Sequence, residues 1–178
     1  MNILSIVLRA ALLFIFAFSV TACHSLKPVS SDRTSSSRST KTKEKSSSKD
    51  YQLRQDLTKY ALKYKGAKYK YGAKGPKRFD CSGFTTYVYA ANDIVLPNGS
   101  YNQARVGKKI PVSKAQPGDL IFFGKGKTVN HVALVVKNSS KGLEVIHSTS
   151  GRGVIQENVL VSSYWKPRIL YARNIIGG

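Results

Sequence analysis

The sequence has little cysteine, few acidic side chains and no hydrophobic run long enough for a membrane-spanning helix. Its 178 residues include 2 cysteines, and 9 Asp and Glu stand against 29 Lys and Arg, which gives a formal net charge of +20. Two cysteines cannot form the framework of a disulfide-rich scaffold, so a hydrophobic core must stabilise the fold. The apolar run at residues 10–20 is about half the length that spans a bilayer.

The N-terminal residues have the pattern of an export signal. Arg9 precedes the apolar run, and small residues follow it up to Ala22 and Cys23. We therefore predict a signal peptide at residues 1–22. The segment 20–23 resembles the lipobox of bacterial lipoproteins, which implies cleavage before Cys23, lipidation of Cys23 and a membrane anchor. The alternatives are an ordinary secretory signal with a coincidental cysteine, and a disulfide between Cys23 and Cys81.

The composition after the signal divides the chain into a linker and one domain. Residues 23–50 are dominated by Ser, Lys, Arg and Thr, which cannot bury enough apolar surface to fold, so we predict a disordered linker. The folded domain is predicted at residues 51–178. Its basic charge favours anionic surface polymers or lipid head groups as partners rather than nucleic acid, because no nucleic-acid-binding motif is present. A solvated basic surface without a dedicated ligand is the alternative.

The order of hydrophobic patterns predicts helices first and strands afterwards. Residues 51–65 carry apolar side chains at spacings of three and four, and residues 84–91 form a second apolar helical segment. Short apolar or alternating runs separated by Gly, Ser and Asn turns then predict about five antiparallel strands, at residues 120–123, 131–136, 143–147, 153–159 and 169–175. The predicted fold class is α+β, with the helices packed on one side of the sheet.

Segment 79–84 contains the one cysteine of the predicted domain. Asp80 and Ser82 are residue types that cap helices, so Cys81 is expected at the start of the second helix. The partial positive charge of a helix N-terminus favours the thiolate, which is the nucleophilic form. Cys81 is therefore a candidate for covalent catalysis. A buried structural cysteine is the alternative.

Two histidines complete a candidate catalytic set. His131 begins one predicted strand and His147 ends the next, so antiparallel pairing would bring the two imidazoles close to Cys81. A thiol, a base and a group that orients the base form the logic of a cysteine-peptidase triad. Histidines that only pack are one alternative, and a metal site is another, although no fourth ligand is evident and we predict no metal. His24 lies in the linker and has no predicted role.

Four segments together resemble the NlpC family of cell-wall cysteine peptidases. They are Asp-Cys-Ser-Gly-Phe at 80–84, Pro-Gly-Asp-Leu-Ile-Phe-Phe at 117–123, Asn-His-Val-Ala-Leu-Val-Val at 130–136 and Ile-His-Ser-Thr at 146–149. The similarity spans residues 60–165 and is greatest to short lipoprotein members with one catalytic domain. It implies a papain-like α+β core and hydrolysis of peptidoglycan stem peptides without a cofactor. The usual bond joins the γ-carboxyl of D-glutamate to a diamino acid.

The same resemblance assigns roles to single residues. It makes Cys81 the nucleophile, His131 the general base and His147 the third member, while Tyr69 and the Cys81 backbone N–H would stabilise the oxyanion. Contacts with substrate are expected from Asp80, Ser82, Tyr101 and Gln103. The lipoprotein members imply a place in the cell envelope, with anchoring to the outer membrane facing the periplasm favoured.

Several positions depart from the pattern of the NlpC family. Ala73 and Ala133 stand where glycine is common, and Leu-Pro-Asn-Gly at 96–99 replaces Leu-Pro-Arg-Ser. The last change falls in the expected substrate groove and leaves the stem-peptide preference open. A catalytically idle wall-binding lipoprotein is an alternative function, as is an amidase or acyltransferase on the same scaffold. The intact set of Cys81, His131 and His147 favours the peptidase.

Overall fold

A six-stranded antiparallel sheet forms the centre of the protein in the computed structural model, which describes residues 37–177. Eight strands occur in the described residues, of which the last six form this sheet. They are β1 (Lys68–Tyr69), β2 (Arg78–Phe79), β3 (Lys108–Ile110), β4 (Leu120–Lys125), β5 (Thr128–Ser139), β6 (Gly142–Thr149), β7 (Gly153–Asn158) and β8 (Ile169–Asn174). The large sheet has the order β3-β8-β4-β5-β6-β7, and β1 and β2 form a separate parallel pair.

Three helices accompany the sheet: α1 (Ser37–Leu62), α2 (Cys81–Ala90) and α3 (Ser100–Gln103). Short 3-10 turns occur at Val112–Lys114 and Lys166–Arg168. Within residues 37–177, no helix is both long enough and apolar enough to cross a membrane. The α+β class and the antiparallel sheet predicted from the sequence are confirmed.

Helix α1 begins earlier than the sequence indicates. Residues 37–50 belong to this helix, whereas the composition predicted a disordered linker up to residue 50. No Gly or Pro occurs between residues 37 and 62, so a helix nucleated by the packed second half can continue toward the N-terminus at one hydrogen bond per residue. The predicted signal peptide, Cys23 and His24 lie outside the described residues.

The apolar face predicted for the first helix is confirmed. Leu57 and Ala61 are fully buried, and Leu53, Tyr60 and Tyr64 pack partly against the same core. This core lies between the helices and one face of the sheet, where it includes Phe84 and Val88 of α2 together with strand residues of β4, β5 and β6.

A second apolar layer covers the other face of the sheet. Along β4, Leu120 and Phe122 belong to the helix-side core, whereas Ile121 and Phe123 belong to a layer that includes Trp165. Burial on both faces explains why β4 is a continuous apolar run in the sequence rather than an alternating one.

The large sheet has six strands rather than the five predicted. The additional strand, β3, has three residues and pairs Lys109 with Arg173 of the neighbouring strand β8. It falls in the segment predicted as a polar connection because its Lys-Lys-Ile sequence has no run long enough to show strand periodicity.

A buried ion pair connects α1 with the start of β4 and the C-terminal residues. Arg54 donates to Asp119 at 2.7 Å and to the Pro117 carbonyl at 2.9 Å. Its second terminal nitrogen donates to Asn174 and to the Ile176 carbonyl, each at 3.0 Å. One guanidinium group therefore satisfies acceptors from separate parts of the chain.

Replacing Arg54 with Met is expected to cost about 3–5 kcal/mol of unfolding free energy, because the buried Asp119 carboxylate loses its charge partner. The measurement is chemical denaturation of both proteins. Arg105→Met is the matched control, because among the described residues the Arg105 guanidinium contacts the ring and hydroxyl of the exposed Tyr101, and its expected cost is within about 0.5 kcal/mol. Equal losses for the two variants would contradict a structural role for the ion pair.

Candidate active site

Cys81 is the first residue of α2, and Asp80 caps the helix. The Asp80 carboxylate accepts hydrogen bonds from the Gly83 backbone N–H at 2.6 Å, from Ser82 Oγ at 3.0 Å and from the Gly72 N–H at 2.9 Å. A Cβ at Gly83 would lie 2.2 Å from the carbonyl oxygen of Ala73. Glycine at this position therefore allows the loop before the cysteine to pack directly on the helix start.

His131 and His147 are joined by a hydrogen bond between His131 Nε2 and His147 Nδ1 at 2.9 Å. They lie on the neighbouring strands β5 and β6. An irregularity precedes His131, since Phe123 pairs with His131 whereas Gly124 pairs with Val129. Such bulges re-aim side chains next to active sites.

Cys81 and His131 line the same solvent-accessible cleft, which has a volume of about 420 Å³. The backbone N–H of Val132, the residue after His131, acts to lower the pKa of the Cys81 thiol. His131 is 9% exposed and His147 is fully buried. The structure therefore brings the thiol and the first imidazole to one cleft, with the second imidazole behind the first.

Tyr69 lies beside Cys81 and lines the cleft on both sides of it. Burial and the nearby Cys81 and Asp80 raise the pKa of Tyr69, so its hydroxyl keeps its proton. A protonated phenol next to the Cys81 thiol can donate a hydrogen bond to an oxyanion formed there.

The four predicted substrate contacts divide into two pairs. Asp80 and Ser82 line the second part of the cleft, which has a volume of about 390 Å³ and also includes Cys81. Tyr101 and Gln103 are not among the described residues that line either part.

Gln103 cannot contact substrate, so the prediction for this residue is wrong. Its side chain is fully buried, with its Nε2 2.9–3.1 Å from acceptors on Ser82, Thr86 and Pro97, while its Oε1 accepts from Thr85 at 2.7 Å. The amide instead ties α3 to α2. Tyr101 is exposed and stacks with Arg105, next to Gly99 and Ser100 that do line the second part of the cleft.

Comparison with known proteins assigns the chain to a family. A model of the NlpC/P60 family matches residues 66–174, more than half of the chain. This protein belongs to the NlpC/P60 family. The matched range includes Tyr69, Cys81, His131 and His147.

Individual NlpC/P60 relatives agree with this assignment. The gamma-DL-glutamyl hydrolase of Bacillus subtilis is 37% identical over 115 residues, which are 62% of this chain and 27% of that protein. The murein DD-endopeptidase MepS/murein LD-carboxypeptidase of Escherichia coli is 32% identical over 114 residues, 64% of this chain and 58% of that protein. The chain therefore spans less than two thirds of either relative.

A solved structure confirms the fold. The crystal structure of an NlpC/P60 family protein from Bacillus cereus superimposes with a TM-score of 0.64 at 31% identity, covering 69% of this chain and 40% of that one. The predicted NlpC-type α+β fold is thus confirmed.

Glu157 extends the hydrogen-bonded chain behind the cleft of this NlpC/P60 domain, and no pattern in the sequence singled it out. His147 Nε2 lies 2.9 Å from Glu157 Oε1, which also accepts from Arg152 at 2.8 Å and from Trp165 Nε1 at 2.9 Å. Its place on β7, which pairs with β6, is the signal that could have revealed it, because residues of adjacent strands meet across a sheet.

The Glu157 carboxylate determines which nitrogens carry protons. Burial raises the pKa of Glu157, but hydrogen bonds from Arg152 and His147 outweigh it, and the net pKa is lowered. The ionised carboxylate can only accept, so His147 carries its proton on Nε2 and presents Nδ1 as an acceptor. His131 then donates from Nε2 and keeps Nδ1 unprotonated. The free nitrogen of His131 is therefore a base.

Burial keeps the thiol and the base neutral at rest. Burial and Asp80 raise the pKa of Cys81 more than nearby backbone N–H groups lower it. The prediction that the helix N-terminus makes Cys81 a low-pKa thiol is therefore wrong. Burial also lowers the pKa of His131 to about 3 and lowers that of His147, although Glu157 acts in the opposite direction there.

Glu157→Gln is expected to slow alkylation of Cys81 by iodoacetamide several-fold at pH 7. The neutral amide no longer enforces the tautomers of His147 and His131, and it no longer stabilises the imidazolium that forms when the thiol ionises. The rate is measured by peptide mass spectrometry, which separates Cys81 from Cys23. Glu144→Gln is the control, because Glu144 pairs with Gln156 and not with the histidines, and its rate should match wild type. Equal rates for all three proteins would exclude Glu157 from this role.

The protein is expected to lose stability as the pH falls from about 6.5 toward 3. In this window the unfolded histidines bind protons, whereas folded His131, with its pKa lowered to about 3, does not, and folded His147, whose pKa is also lowered, binds one less readily than in the unfolded chain. Acid therefore favours the unfolded state. Each imidazole contributes a slope of at most about 1.4 kcal/mol per pH unit. Urea denaturation across this range measures the slope, and His131→Gln should reduce it. An unchanged slope in the variant would contradict the lowered pKa of His131.

Proposed function

We propose that this protein is a cysteine-type endopeptidase that hydrolyses amide bonds of peptidoglycan stem peptides in cell-wall remodelling. The observation that carries the proposal is the shared cleft of Cys81 and His131, with His131 Nε2 held by the chain of His147 and Glu157. A packing role alone would not require an ionised carboxylate behind two buried imidazoles, because burying charge is costly.

Acylation begins from the neutral pair. As Cys81 Sγ attacks the scissile carbonyl carbon, the thiol proton moves to His131 Nδ1, and the carbonyl oxygen becomes an oxyanion. The Cys81 backbone N–H and the Tyr69 hydroxyl are the proposed donors to that oxygen, and such donors are worth roughly 3–4 kcal/mol each. His147 orients the imidazolium, and Glu157 stabilises its charge through His147.

The tetrahedral intermediate then breaks down to a thioester. His131 returns its proton to the departing amine, the C–N bond breaks, and a thioester joins the acyl group to Cys81. A water molecule enters, gives a proton to His131 and attacks the thioester. Breaking of the C–S bond returns the proton to the sulfur and releases the carboxylic acid. The neutral resting pair is thereby restored.

The proposed bond links the γ-carboxyl of D-glutamate to the diamino acid. The name of the Bacillus subtilis relative, gamma-DL-glutamyl hydrolase, supports this choice. The name of the Escherichia coli relative supports a murein substrate, although the DD-endopeptidase and LD-carboxypeptidase activities in that name concern bonds other than the γ-D-glutamyl bond. Asp80 and Ser82 line the cleft beside Cys81 and are the proposed contacts to the substrate.

We further propose that lipidation of Cys23 anchors the domain in the cell envelope, at the outer membrane facing the periplasm. The lipobox-like segment 20–23 supports this proposal. The net charge of +20 suits an additional attraction to anionic surface polymers.

Digestion of purified sacculi tests the activity. Wild type is expected to release fragments that begin with the diamino acid, identified by mass spectrometry. The stem-peptide remnants that end in D-glutamate stay on the glycan strands and are identified after digestion of the glycan with a muramidase. Cys81→Ala should release none while unfolding at a similar temperature, because it lacks the nucleophile and keeps the fold. Release by both proteins would exclude the Cys81 mechanism. Release by neither would remove the support for a hydrolase and favour a wall-binding protein.

A further inference from the structure

The cleft has two halves of different charge that meet at Tyr69, Cys81 and Asn130. The half that contains His131, here called the arginine half, is lined by Arg152 and Arg168 and by no Asp or Glu among the described residues. The opposite half, here called the Asp80 half, is lined by one carboxylate and one lysine, Asp80 and Lys74. A substrate lying across Cys81 therefore meets two cations on one side only.

The arginine half receives the leaving amine. His131 must deliver its proton to that amine, and His131 lines only this half. The acyl part of the substrate then occupies the Asp80 half. Any group recognised by Arg152 or Arg168 therefore belongs to the residue that departs with the amine, or to a residue attached beyond it.

Arg168 is held in place without being neutralised. It donates to the Tyr164 carbonyl at 2.6 Å, and its guanidinium carbon lies 3.9 Å from the centre of the Tyr164 ring. No ion pair with Asp or Glu involves Arg168 in the part of the chain that the structure describes. Its remaining N–H groups stay available for a ligand, because guanidinium has five.

Arg152 is only partly engaged. It bonds Glu157 through one terminal nitrogen at 2.8 Å, and its side chain is 60% exposed. The hydroxyl side chains of Ser148, Thr149 and Ser150 also line the arginine half. Guanidinium groups with neighbouring hydroxyls match the acceptor geometry of a carboxylate, which Arg can bind through two parallel N–H bonds.

We propose that the arginine half is a carboxylate-binding subsite that selects substrates whose leaving residue carries a free carboxylate. The inference rests on the proposed endopeptidase function for the direction of the substrate. It makes a diamino acid with an unmodified side-chain carboxylate the preferred leaving residue over lysine or an amidated diamino acid. The main-chain carboxylate of a C-terminal diamino acid has the same chemistry and is the second source.

Peptide binding to the Cys81→Ala protein tests the subsite without requiring hydrolysis. The probes are L-Ala-γ-D-Glu-diaminopimelate tripeptides with both carboxylates of the last residue free, with only the side-chain carboxylate amidated, or with only the main-chain carboxylate amidated. Calorimetry is expected to show a Kd about tenfold lower for the free peptide than for one amidated form, as a charge-assisted pair implies. The form that loses affinity identifies the carboxylate that is bound.

Arg168→Gln in the same Cys81→Ala background is expected to remove most of this preference. Arg105→Gln is the matched control, since Arg105 stacks on Tyr101 as Arg168 stacks on Tyr164, but outside the cleft, and the preference should persist. Three results would overturn the subsite: equal Kd values for the free and the amidated peptides, no binding of any peptide, or a ratio of Kd values that Arg168→Gln leaves unchanged.

Hydrolysis of the same peptides by the protein with Cys81 intact separates the two proposals. Selective binding without hydrolysis would support the carboxylate subsite and contradict the endopeptidase function. Hydrolysis of free and amidated peptides at equal kcat/KM, with equal Kd values, would support the endopeptidase and overturn the subsite. Hydrolysis that favours the free peptide, with the preference reduced by Arg168→Gln, supports both.

Discussion

The hydrogen bond between two buried imidazoles is the contact on which the site depends. His131 Nε2 and His147 Nδ1 can share a proton only if one ring donates and the other accepts. The Glu157 carboxylate removes the ambiguity, because it requires a proton on the far nitrogen of His147. The order of protons then leaves an unprotonated nitrogen on His131. Without Glu157 the same two rings could hold the proton in the opposite order.

The sheet supplies the rigidity that this arrangement needs. His131, His147 and Glu157 lie on three consecutive strands, β5, β6 and β7, whose register is fixed by backbone hydrogen bonds. Trp165 stacks on His131 with ring centres 4.5 Å apart and also donates to Glu157. One aromatic side chain therefore holds both His131 and Glu157, the two ends of the hydrogen-bonded series His131–His147–Glu157. Burial by these neighbours also keeps the imidazoles neutral.

Charge is distributed unevenly in a protein with few acidic residues. Of its 9 Asp and Glu side chains, Asp119 balances the buried Arg54, Asp80 caps the helix that begins at Cys81, and Glu157 orients the histidines. Glu157 is not among the described residues that line the cleft, whereas Arg152 and Arg168 line its arginine half. The same side chains thus order the site and give the cleft its polarity.

Local patterns in the sequence were enough to select Cys81 and the two strand histidines as the candidate site. A helix-capping pattern around Cys81, histidines in strand-like segments and helices followed by strands were sufficient for the α+β class and for the convergence of Cys81 and His131 on one cleft. These features are local, because capping and periodicity depend on residues within a few positions of each other. Tertiary structure alone decided that Gln103 is buried, that Lys108–Ile110 joins the sheet, that Glu157 stands behind His147, and that burial outweighs the helix N-terminus at Cys81. Each of these depends on what distant residues place around a side chain, and a linear pattern carries no record of those neighbours.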